Sequence, residues 1–180
     1  MFGSRDMVRQ AQRAKDEESS GMPSPLLTQF IAGHDGDPWY GTSRTGILRG
    51  VSAADAAATP IPGGHSIWQL VLHMAAWTEE VQRRLEGAAP ATPARGDWPP
   101  VPAPTDAAWR AAKAALTRAH AQVAKMLGDM PARRLARPVG QSREPALGTG
   151  VTIGEMLVGL AQHDAYHTGQ IAQLKRLVIR

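Results

Sequence analysis

"HDAYHTGQIAQLKRL", residues 163–177, has the apolar rhythm of a helix, yet it puts His163 and His167 where core residues are expected. Histidines four apart lie one turn from each other on the same face. Extended upstream, that face also holds Met156, Leu160, Gln170, Ile171 and Leu174. Thr152 followed by Glu155 has the pattern of a capping box. The helix is therefore expected to start there and to run to about Leu177.

Three other segments read as helices. "HSIWQLVLHMAAWTEEVQRRLEG", residues 65–87, follows Pro62, Gly63 and Gly64, has Ser66 as an N-cap, and closes at Gly87. At about 100° per residue, Leu70, His73, Trp77, Val81 and Arg84 fall along one stripe. A further helix begins after the N-cap Thr105, with Trp109, Ala112, Leu116, Val123 and Leu127 as core positions. Leu26, Leu27, Phe30 and Ile31 make one face of a first helix, short or broken because glycines and Pro38 follow.

Residues 88–104 and 131–150 are rich in proline and glycine and read as connections, the former long for a simple bundle turn. No repeat is evident and no strand-like alternation persists. The economical fold is all-α, a four-helix bundle with long proline-rich connections. Residues 1–22, polar and without a sustained apolar face, read as a flexible extension, leaving 23–180 for the bundle.

Composition removes several functions. With no cysteine, neither a disulfide framework nor thiolate metal ligation is possible, so any ion is held by nitrogen and oxygen. No apolar run approaches the roughly 20 residues needed to span a bilayer, and no signal-type segment opens the chain. A cytoplasmic protein without a membrane partner is expected. The formal charge of +4 invites a nucleic-acid reading. Its clusters are weak, however: Arg133, Arg134 and Arg137 in one place, Lys175, Arg176 and Arg180 in another. Nucleic acid is not an expected partner.

An HxxxH pair has several possible uses. The metalloprotease motif with this spacing needs a glutamate directly after the first histidine, where Asp164 stands, so that class is set aside. His73, in the stripe of another helix, can meet the pair, because a bundle points inward side chains from facing helices at a common site.

"HSIWQLVLHMAAW" followed much later by "GEMLVGLAQHDAYHTGQIAQLKRL" resembles the DinB family, also called YfiT-like, over about Pro25 to Leu177. The resemblance implies a four-helix bundle, usually a homodimer, with a divalent metal held by three histidines that correspond to His73, His163 and His167. Gly169 and Gln170 match the recurrent HxGQ ending. Some relatives are thiol-dependent S-transferases, which implies a low-molecular-weight thiol as a substrate.

Three neutral imidazoles leave a coordination position open, as in catalytic zinc sites. An ion held so lowers the pKa of bound water to about 7, or that of a bound thiol. Zinc or nickel is the expected ion. Two functions compete on these residues: a metal-dependent transferase or hydrolase, and a non-catalytic metal-binding protein of stress response or detoxification. An open position reached by solvent favours the first, a closed sphere the second.

Other residues rank lower. Asp164 and Gln170 are candidates for orienting the ligand imidazoles. Trp77 and Tyr166 can wall a pocket or belong to the core. Glu80, two turns from His73, is a candidate base, with a solvated surface carboxylate as the default. His65 reads as a cap or a border of the site, His120 as a packed or solvent-facing residue of its helix, and His34 as a surface histidine.

Overall fold

The computed structural model describes residues 24–179; the expected extension, 1–22, lies outside them. Helix α1 (Pro25–Asp35) is followed by two single-turn helices, α2 (Arg44–Leu48) and α3 (Ala53–Ala57). The long helices are α4 (Ile67–Leu85), α5 (Asp106–Gly128) and α7 (Ile153–Val178), with the short α6 (Ala132–Leu135) between the last two. Together α1, α4, α5 and α7 form the bundle, with α4 packed against both α5 and α7. The all-α expectation is met.

Local chemistry sets the helix starts. Ser66 and Thr152 each accept from the N3 backbone N–H while the N3 side chain, Gln69 or Glu155, reaches back. Thr105 accepts from Ala108 at the start of α5. Helix α4 is closed by Gly87, whose φ of 99° suits glycine. Arg134 on α6 donates to the carbonyl of Leu85 in the last turn of α4.

The connection 88–104 has no regular element. The second connection is more structured than expected: α6 leads into β1 (Pro138–Val139), a 3₁₀ turn (Pro145–Leu147) and β2 (Val151–Thr152). The two strands pair antiparallel, Val139 opposite Val151. Helix α1 is short, as expected, but Ile31 is 45% exposed and it is His34, one turn after Phe30, that shares the buried face.

Two apolar clusters fill the interior. One gathers around Trp68, Trp109 and Ile171, the other around Phe30, Leu85, Val123 and Leu157. On α4 Leu70 belongs to the first and Val81 to the second; on α7 Ile171 and Leu160 divide in the same way. His163 and His167 fall in the interval between them on α7, and His73, flanked on α4 by Leu72 and Met74 of the first cluster, meets them there. His120, between Leu116 and Val123 on α5, falls there too. The bundle thus has a polar middle layer, built by the register of its helices.

Candidate metal centre

His73 from α4 and His163 and His167 from α7 converge, each able to place a ring nitrogen within 4.8 Å of the others. The Nε2 atoms of His73 and His163 are 2.9 Å apart. His73 and His167 are buried, and His163 is half-buried.

Two of the rings are held from behind. His73 Nδ1 lies 2.6 Å from the backbone carbonyl of Asp97, which can only accept, so Nδ1 carries the proton and Nε2 a lone pair. His167 Nδ1 lies 2.6 Å from Gln170 Oε1, with the same consequence. His163 has no such partner: its Nδ1 is buried and unbonded, 3.8 Å from Asp164 Oδ1.

Burial keeps the two anchored rings, His73 and His167, neutral. Burial lowers the pKa of His73, helped by neighbouring His163 and opposed by the Asp97 carbonyl. Burial likewise brings His167 down to about 4, with His163 and His73 adding to the shift against the pull of Gln170. Neutral imidazole is the form that binds a metal. The donor set and its tautomers therefore fit a divalent ion.

The connection 88–104 supplies what sequence reasoning missed. Asp97 gives its carbonyl to His73 and accepts at Oδ1 from Trp77 Nε1, 2.7 Å away. Trp98 lies flat between His73 and His65, with ring centroids 3.9 and 3.5 Å away. The only sequence signal was the length of this connection and a "GDW" set within its prolines.

A DinB superfamily model matches residues 45–171, which include all three histidines. The chain belongs to the DinB superfamily. Searches of curated proteins and of solved structures found no match. The DinB match omits α1, so His34 and the packing of α1 on the bundle lie outside it.

Around this DinB site the remaining candidates separate. A pocket of about 560 Å³ opens beside the imidazoles, and Trp77 and Tyr166 line it, the latter 64% exposed. Gln170 stands beside His167, its Oε1 2.6 Å from that ring's Nδ1. Asp164 touches His163 only at 3.8 Å and pairs instead with Arg44, at 2.6 Å. Burial drives Asp164 up, but the Arg44 guanidinium more than offsets this and holds it at about 2.

Glu80 corrects both readings given to it. It is neither solvated nor part of the pocket wall, but buried, accepting from Arg84, Arg83 and the backbone N–H of Ala91. His34 is not a surface residue either: it is buried, and its Nδ1 accepts from Arg44 at 2.5 Å. His120 packs, stacked between Phe30 and His34, and donates to the Phe30 carbonyl. His65 borders the site through Trp98, while Ser66 does the capping.

Proposed function

We propose that His73, His163 and His167 hold one divalent metal ion, zinc or nickel, and that the protein is a metal-dependent transferase or hydrolase acting on a small thiol or on water. The observation that carries this reading is the pair of Nδ1 anchors, Asp97 and Gln170, which turn two neutral lone pairs toward the third imidazole. Such second contacts are the usual accompaniment of metal-ligating histidine. A bound ion would supply Lewis acidity and lower the pKa of a coordinated water or thiol.

The chain's own residues do the rest. Asp97 and Gln170 fix the rings, Trp98 covers the outer face of His73, and the adjoining pocket admits a ligand from solvent. Three protein ligands with an adjoining pocket favour an open site over a closed structural one. The second reading, an ion sequestered without turnover, draws its support from Trp98, which shields one side of the site.

A homodimer is part of the same reading. Tyr40 and Val158 are large apolar side chains exposed along the groove between α1 and α7, and sedimentation at micromolar concentration tests whether a second copy covers them.

The deciding experiment is elemental analysis of untagged protein beside three alanine variants. About one equivalent of metal is expected in the parent, with loss in His163→Ala and His167→Ala and a steep fall in affinity in His73→Ala, all with helical circular dichroism retained. Full metal content in the variants, or none in the parent after reloading, overturns the assignment.

A further inference from the structure

Resting on the reading of the three histidines as the reactive end of a small-molecule site, the adjoining pocket itself says what enters. Its volume, about 560 Å³, is in the ~300–1,000 Å³ range of ligand sites. The wall is apolar from three directions: Trp77 and Val81 on α4, Met156 and Leu160 on α7, and Leu147 and Val151 on the connection between α5 and α7.

Three charged side chains reach this wall, and none offers a cation to a ligand. Arg84 donates to Glu80 and to the carbonyls of Ala91 and Leu147, and its side chain is only 4% exposed. Asp97 is bonded to Trp77, and Glu155 is engaged with Thr152 in the helix cap. The protein's net charge is +4, so the bias at this mouth, two carboxylates against one engaged arginine, is local. Along this wall, away from the imidazoles, a carboxylate or phosphate on the body of a ligand would lose water and gain no cation.

Gly159 adds an independent sign. It lines the pocket in the interior of α7, and a Cβ built on it meets no heavy atom within 4 Å. Packing does not require glycine there, and glycine weakens a helix interior relative to alanine. Its effect is to leave space in the wall.

We propose that this pocket binds an uncharged ligand with an aromatic or branched aliphatic body, which carries a single metal-directed head such as a thiol to the three imidazoles. Polyanionic thiols are disfavoured by the same wall. The hydrophobic body supplies the affinity and the histidine end the orientation.

The test compares benzyl mercaptan with mercaptosuccinate on cobalt-loaded protein, reading the sulfur-to-cobalt absorption band, with cobalt content measured separately. Benzyl mercaptan is expected to bind roughly tenfold tighter or more, as burial of a phenyl ring requires. Ala146→Arg, at an exposed position on the rim, should narrow or reverse that preference. Mercaptosuccinate binding as tightly as benzyl mercaptan in the parent overturns the proposal.

A second arm does not depend on metal. The uncharged dye N-phenyl-1-naphthylamine should fluoresce with metal-free protein and lose that signal in Gly159→Trp, which fills the pocket. No enhancement in the parent, or full enhancement in Gly159→Trp, also overturns the proposal. Failure to load cobalt with the dye result intact would instead sink the metal reading and leave the apolar pocket standing.

Discussion

Gln170 is the residue at which sequence spacing and chemistry meet most directly. Three positions after His167, it reaches back to that ring's Nδ1 at 2.6 Å. Removing the contact frees the ring without emptying the core, because Gln170 is only half-buried. Gln170→Ala should weaken metal binding about 10–100-fold with an unchanged thermal transition of the metal-free protein, whereas Gln170→Glu, which keeps an acceptor, should retain most of the affinity. Competition with a chelator measures both, and equal affinity in parent and alanine variant would remove Gln170 from the site. Arg44 is the opposite case, a residue whose weight is structural. It is 1% exposed and holds Asp164 on one side and His34 on the other. Arg44→Met leaves a buried carboxylate without its cation and should cost about 3–5 kcal/mol in urea unfolding. Adding Asp164→Asn should recover part of that loss. If the single variant costs less than about 1 kcal/mol, the pair is screened by water and the account of the polar layer fails.

At the scale of elements, the connection 88–104 is held to α4 by Glu80, which accepts from the Ala91 N–H at 2.9 Å as well as from Arg84 at 2.8 Å. That contact fixes the start of the segment whose later residues, Asp97 and Trp98, bear on His73. Glu80→Gln keeps the shape and removes the charge that Arg84 and Arg83 are placed to meet. It should destabilise by about 3–5 kcal/mol, the range for breaking a buried pair, and raise hydrogen exchange at Ala91 before the helices open. Retained protection at Ala91 would show that the connection is fixed by other contacts. The helices were legible in the sequence because their signals are local: Ser66, Thr105 and Thr152 act within three residues, and the apolar stripes repeat within each segment. The meeting of His73 with His163 and His167 was legible too, since a bundle brings inward faces together. The partners of Glu80, the burial of His34 and the placing of Trp98 were not. Each depends on where an irregular connection or a short helix lands, and no periodicity encodes that. Glu80 has the sequence appearance of any acidic residue on an amphipathic helix, and only the return of the chain at Ala91 encloses it.

Across the whole molecule, the polar middle layer makes stability depend on pH in a definite order. Phe30, His120 and His34 form one stack, with centroid spacings of 4.0 and 4.2 Å. Burial pushes His34 down to about 4, with Arg44 adding to the shift, and pushes His120 down to about 3, with His34 and Arg44 adding. Asp164 opposes both shifts and Asp35 opposes that of His34, but neither reverses the direction. The unfolded chain takes up these protons near the ordinary value of 6.5, so between there and the folded values it binds more protons than the native state. The contribution is complete above pH 6.5 and is lost as pH falls toward 4 and 3, at about 2 kcal/mol per histidine between pH 7 and 5. Glu80 adds a second, lower limb. Burial raises its pKa, but the hydrogen bonds from Arg84, Ala91 and Arg83 outweigh this and leave it below 4.5, so its stabilisation is present above 4.5 and goes as pH drops further. Urea unfolding of metal-free protein should therefore weaken in two stages. His73 and His167, also lowered by burial, join the first. His120→Leu should be less stable at pH 7, having lost its bond to the Phe30 carbonyl, yet flatter between pH 6.5 and 4. Glu80→Gln should keep the upper limb and lose part of the lower, the rest coming from Asp164, which Arg44 holds at about 2. A parent curve level from pH 7 to 5 would mean that the buried histidines take up protons in place without cost, and that the middle layer admits water.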